Sequence, residues 1–279
     1  MSCIIYYTSF PGASHLRRLD LKSVGPSPDC RLNSETRKAA KAEVVRFIRS
    51  LKKIDVSTVE LLKKQKPFHA VIFPPEALLY SKQERSVVTK MGITLFPNLS
   101  TIIARDRYRD VHHDFDVSLK IDSGSSAKVD EIVNELRAPG HTRRPNHQQE
   151  MREIAAAASG VMTSTVVRAD LHVGDYPTGP LFMEIKSPMP NIDICAESKR
   201  KFLLFETGMR AKGGKAYFGF AYNPYLTRAA YDWSPPKSII DLDAEVLMGS
   251  EMWDKLGGNG TWNELLVVLD EAGKEAKVG

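Results

Sequence analysis

The sequence predicts an α/β protein, with a mixed β-sheet flanked by helices and a helical, basic N-terminal part. Three observations predict it. Apolar residues recur at helical spacing through the first half, with capping residues and prolines where helices would begin. Residues 161–173 and 181–186 are strand-like runs on either side of Gly174-Asp175-Tyr176-Pro177-Thr178-Gly179, a turn composition. A helical pattern and a further strand follow, giving the order hairpin, helix, strand.

Taken in order, Ser34 suits a helix cap and Glu35 its first turn, and Val44, Ile48 and Leu51 form a buried stripe at i, i+4 and i+7. Arg37, Lys38, Lys41, Arg46, Arg49, Lys52 and Lys53 ring the other faces, either plainly solvated or in contact with phosphates. Ser57 and Glu60 fit a capping box for a second helix that stops before Pro67. Residues 68–73 are expected as a short strand, and Pro74 and Pro75 open a helix over 76–91 that Gly92 closes. The period is mixed over 92–122. Ser123 to Ser126 then cap a helix carrying Val129, Ile132, Val133 and Leu136, and the proline-containing stretch 138–147 reads as a linker. A helix is expected over 150–159, another over 196–211 and a strand over 216–222, after Gly213 and Gly214. This places a boundary near residue 140, between a helical basic region (1–140) and an α/β core with C-terminal helices (141–279).

The composition is that of a folded globular chain: 279 residues, 42% hydrophobic and 26% charged, enough for one large domain or about two ordinary ones. Cys3, Cys30 and Cys195 are odd in number and widely spaced, so neither a disulfide framework nor a cysteine zinc site is encoded. A net charge of +5 suits a polyanionic partner without requiring one. No run reaches the ~18 uninterrupted apolar residues of a membrane span, and the opening MSCIIYYTSFPG lacks the pattern of a secretory signal, so a cytoplasmic location is expected.

If the hairpin turns about Pro177, residue 170 faces residue 184. Side-chain alternation then puts Glu184 and Lys186 on one face with Arg168, His172 and Phe182, and leaves Val167, Ala169, Leu171, Val173, Leu181, Met183 and Ile185 as a uniformly apolar core face. Asp170 and Glu184 together offer hard oxygen ligands of the kind Mg²⁺ takes, and a lysine two residues on can orient water or neutralise charge on a phosphate attacked in line. The pattern suits phosphodiester hydrolysis. The bland alternative for the same residues is a surface ion pair worth ~0–1 kcal/mol.

Four blocks in order supply context: FHAVIFPPEALLYSKQERSVVTKMG; RADLHV and LFMEIKSPMPN with ESKRKFLL behind them; FAYNPY; and EVLMGSEMWDKLGGNGTWNELL. On these, about three quarters of the chain, from Phe68 onward, resembles the TdeIII-type restriction endonucleases of the PD-(D/E)XK nuclease superfamily. The resemblance implies a Mg²⁺-dependent nuclease core cutting a short sequence in double-stranded DNA, with Asp170, Glu184 and Lys186 at the three signature positions. Ala169 stands where the motif name has proline, a departure common in the superfamily. Relatives of this type read G/C-rich palindromes of the GGNCC kind, for which a homodimer is the symmetric reader. A cognate DNA methyltransferase in the same cell would be the functional, not physical, partner. The main-chain carbonyl of Ile185 would complete the metal shell, and such nucleases often add an acid from a preceding helix, here Glu153 or next Glu150.

Other residues have two readings each. Lys199, Arg200 and Lys201 meet phosphate beside the cut or solvate a helix face. Asn223 contacts a base or shapes the turn before Pro224, and Arg85 reads guanine or holds a structural carboxylate. His172 is expected to be structural. His112, His113, Asp114 and Asp116 lack the spacing of a metal set, because adjacent strand residues point to opposite faces. Gly257-Gly258-Asn259-Gly260 lacks the Lys-Ser/Thr of a phosphate loop. Two alternatives to a restriction enzyme stay open, a repair or junction nuclease on the same fold and a DNA-binding protein that does not cut. A third reading is an α/β domain whose acidic hairpin is incidental.

Overall fold

The computed structural model describes residues 32–51 and 56–278. Cys3, Cys30, Lys52, Lys53 and the Ser57 side chain lie outside the described residues. Helices α1 (Ser34–Ser50), α2 (Val56–Gln65), α3 (Pro67–Ile72), α4 (Pro75–Lys90) and α5 (Phe96–Ala104) precede the first strand, β1 (Val111–Asp122). Then come α6 (Ser123–Arg137), α7 (His147–Ala156), β2 (Met162–Val173), β3 (Leu181–Lys186), α8 (Ile192–Gly208) and β4 (Lys215–Phe220). The chain continues through α9 (Ser234–Ile239), α10 (Leu242–Glu245), β5 (Val246–Met248), α11 (Ser250–Gly257) and α12 (Thr261–Val278). The sheet runs β1-β2-β3-β4-β5, antiparallel across its first three strands and parallel across β3, β4 and β5. It is the expected mixed sheet flanked by helices.

Helices cover both faces. One layer is Val129, Ile132, Val133 and Leu136 of α6, Ile154 of α7 and Phe202 and Phe205 of α8, packed on Phe182, Phe218 and Phe220. The other is α1, α5, α11 and α12, packed on Leu171, Val173, Leu181, Met183 and Ile185. A strand buried on both faces reads as a continuous apolar run, which is why LFMEIK is buried up to its last residue. Across the boundary expected near residue 140, β1 pairs along its length with β2, and α1 packs on α12.

The hairpin register is as expected, with Leu171↔Met183, His172↔Phe182 and Val173↔Leu181, and Gly179 in the turn at φ 119, where a side chain would strike the Lys212 carbonyl. The expected single apolar face is corrected. Val167 and Ala169 pack with the α6–α8 layer, whereas Leu171 and Val173 belong to the opposite layer, where α5 packs on β2. The alternation inverts at one rung: each β1–β2 pair sums to 284, and the only rung missing is that of Asp114 and Asp170. Asp114 has φ 53, a left-handed conformation that breaks period-2 alternation and places His112 and Phe115 on one side, stacked at 4.4 Å.

Three local expectations also change. Residues 68–72 are helical and Phe73 caps the helix, because Pro67 at the first helical position presets the backbone and a short apolar run has no period of its own to oppose it. Gly92 does not close its helix: the chain passes through a π-turn (Met91–Leu95) into α5, making Pro75–Ala104 one continuous 30-residue helix. Length and composition would let it cross a membrane, but α5 is a core helix here, with Leu99 and Ile103 fully enclosed. The caps of α1 and α6 are Asn33 and Asp122, one residue before the serines expected. On α1, Arg37 and Lys41 pair with Glu271 and Glu275 of α12 at 2.6 and 2.8 Å, whereas Lys38, Arg46 and Arg49 face solvent.

Candidate active site

Asp170 and Glu184 sit at the open end of the β2–β3 hairpin, one step beyond its last paired rung. Asp170 Oδ2 accepts from the Ile185 N–H at 2.7 Å and from Lys186 Nζ at 2.7 Å. Lys186 Nζ also lies 3.3 Å from Glu184 Oε2, so one ammonium bridges the two carboxylates. Glu184 Oε1 accepts from Lys201 Nζ of α8 at 2.9 Å. The Glu184 side chain is 2% exposed, whereas those of Asp170, Lys186 and Lys201 are 26%, 31% and 21% exposed, so the carboxylate of Glu184 is enclosed within a cluster whose other members reach solvent.

The electrostatics follow from that enclosure. Burial, reinforced by the neighbouring Asp170 charge, pushes the Glu184 carboxyl above its usual range. Burial works against the Lys186 ammonium, but Glu184 and Asp170 outweigh it and hold its pKa above that of an ordinary lysine. Lys186 is thus held as an ammonium between the two carboxylates. What the arrangement offers is a pair of oxygen donors around a place already held by one positive charge.

Each other expected site residue has a definite position. Lys199 is fully buried and lies 2.5 Å from both Glu150 and Glu245, so its expected phosphate contact is corrected to an internal ion pair. Arg200 points the other way, to Asp130 at 2.6 Å on the surface, and Lys201 turns to Glu184. Three consecutive helical residues, 100° apart, thus reach three separate partners. Glu153 accepts from Arg143 at 2.8 Å and from Gln149 at 2.9 Å, and is not among the groups placed around Lys186. Asn223 Oδ1 accepts from the Tyr225 N–H, which is the turn reading, and Arg85 is exposed on α4. His172 is buried against Phe115 and Phe205 with its pKa lowered by burial, as a structural residue would be. Asp114 and Asp116 pair with Arg168 rather than with a neighbouring histidine.

A second acidic set, His147, Glu150 and Glu245, has ligand atoms close enough to hold a metal ion. Sequence spacing gave no sign of it, since Glu245 is 95 residues beyond Glu150. The Lys199 ammonium occupies the cation's place there, and His147 adds a second positive charge, with Nε2 3.0 Å from Glu206 and Nδ1 3.3 Å from Glu245. Although burial opposes it, pairing with Glu206 and Glu245 raises the His147 pKa to about 9. A raised folded-state pKa gives stability that is complete below the unfolded value near 6.5 and is lost as pH rises through about 9. The thermal midpoint is therefore expected to fall across that window, and His147→Gln to flatten the fall; a wild-type slope in the variant would contradict the ion pairs.

The family described as "Type II restriction endonuclease, HinfI" matches residues 32–273. The chain belongs to this family. It is thus a restriction endonuclease, a site-specific deoxyribonuclease. It is 31% identical to the type II restriction enzyme HgiEI of Herpetosiphon aurantiacus over 212 residues, 75% of this chain and 77% of HgiEI. It is 29% identical to HgiBI, a type II restriction enzyme of the same organism, over 248 residues, 87% of this chain and 90% of HgiBI. No solved structure matches the chain.

Proposed function

We propose that this restriction endonuclease has a PD-(D/E)XK core of the TdeIII-like type and hydrolyses double-stranded DNA with Mg²⁺, using Asp170, Glu184 and Lys186. The single observation behind the reading is the Lys186 ammonium bridging two carboxylates at 2.7 and 3.3 Å at a hairpin end open to solvent. The donor set fits Mg²⁺, which takes one or two carboxylates and keeps its remaining positions for water and phosphate oxygen. Asp170 and Glu184 would hold the ion, with the Ile185 carbonyl as a third oxygen. When bound, Mg²⁺ supplies a Lewis acid for the phosphate and lowers the pKa of a coordinated water. The Ile185 N–H fixes the Asp170 carboxylate, and the Lys186 ammonium orients the attacking water and offsets charge building on the phosphate. The products are a 5′-phosphate and a 3′-hydroxyl.

The target in this reading is a short, G/C-rich palindrome read by a homodimer, with a cognate methyltransferase protecting host DNA and both acting in the cytoplasm of a prokaryotic cell. Incubation with long unmethylated duplex DNA at low salt, with Mg²⁺ or EDTA, tests this. The expected result is discrete fragments in Mg²⁺ alone, with ends that ligate without phosphate being added. Cleavage of branched or damaged DNA only would favour a repair nuclease. Metal-independent binding without cleavage across several genomes would favour a non-cleaving DNA-binding protein.

A further inference from the structure

We propose that Lys201 is a positioning residue of this site: it holds Glu184 by Oε1 so that Oε2 is the oxygen turned toward Asp170 and the metal. The inference rests on the proposed metal-dependent reading. Glu184 is almost wholly enclosed, and its two oxygens are divided between two lysines, Lys201 on Oε1 at 2.9 Å and Lys186 on Oε2 at 3.3 Å. The two are not equivalent. Lys186 comes from the same strand and is shared with Asp170. Lys201 comes from α8, and its other carboxylate neighbour is the exposed Glu197 at 3.5 Å. The next residue, Phe202, is fully buried and packs edge-on against Phe182 of β3, two residues from Glu184, which fixes this turn of α8 on the strand. A cation placed between Asp170 and Glu184 therefore competes with Lys186, and Lys201 keeps its hold on Oε1 throughout. Groups that orient a metal-binding side chain from behind typically change metal affinity 10- to 100-fold when removed.

Lys201→Met tests the role, with Lys201→Gln, which keeps a donor for Oε1, as a second variant. Three readings are taken on each: the Mg²⁺ midpoint for cleavage, the Ca²⁺ midpoint for raising the melting temperature, and DNA affinity in EDTA against salt. The expected result is that both metal midpoints rise about tenfold or more in the methionine variant and less in the glutamine variant. DNA affinity in EDTA and its salt slope stay as in the wild type. Unchanged metal midpoints would overturn the proposal. So would weaker metal-free DNA binding with a salt slope smaller by about one, because that is the signature of a lost phosphate contact. If the methionine variant does not fold, the glutamine variant decides by the same readings. A wild type that never cleaves DNA would instead sink the nuclease reading itself, and the Ca²⁺ titration keeps the two failures apart.

Discussion

Lys186→Ala is expected to slow DNA cleavage about 10²- to 10⁴-fold while duplex binding in EDTA changes little. Among the described residues the lysine is the one cation in contact with both carboxylates, and its raised pKa keeps it charged through the neutral range. Its loss removes the group that neutralises charge at the phosphate and leaves Glu184 with Lys201 alone. Folding is expected to survive, since the Lys186 side chain is part-exposed and alanine leaves no enclosed charge without a partner. Single-turnover cleavage measured beside filter or gel-shift binding checks both halves. A variant that cuts at the wild-type rate would remove Lys186 from the chemistry.

Lys199→Met, two residues from Lys201 on the same helix, is expected to fail differently. It should destabilise the fold by about 3–5 kcal/mol, because it leaves Glu150 in the core without its cation and Glu245 with His147 in place of two, and lower the melting temperature on the order of 10 °C. Burial and the nearby Glu245 already push Glu150 toward its protonated form, while Lys199 and His147 overcome burial and keep Glu245 ionised. Removing Lys199 takes away the charge that both lean on. Protein that remains folded should bind DNA as the wild type does. Thermal melting and DNA titration together check this, and a loss of DNA affinity at unchanged stability would restore the phosphate contact that burial argues against.

The hairpin was legible because its signals are local. The six-residue turn Gly174-Asp175-Tyr176-Pro177-Thr178-Gly179 between two strand-like runs sets the register, and the register brings Asp170 to Glu184. The inverted faces were not legible, because they depend on Asp114 adopting a left-handed conformation, which aspartate tolerates but its letter does not announce. The 199–201 run shows the same limit. Composition supplies three cations in a row, but which one enters the core depends on Glu150 and Glu245, 49 and 46 residues away in sequence. The helix Pro67–Ile72 and the continuation through Gly92 were hidden for a third reason, the ambiguity of short apolar runs and the packing of α5 against the sheet, which overrides a glycine's preference to end a helix.

In the proposed mechanism the divalent ion sits at the hairpin end and not in the buried His147, Glu150 and Glu245 set. Replacing Mg²⁺ by Fe²⁺ in the enzyme–DNA complex and adding ascorbate and peroxide cuts the polypeptide next to bound iron, and the cut sites can be mapped by mass spectrometry. Breaks are expected in β2 around Asp170 and in β3 around Glu184 to Lys186, suppressed by excess Mg²⁺. Breaks confined to the neighbourhoods of His147, Glu150 and Glu245 would contradict that mechanism.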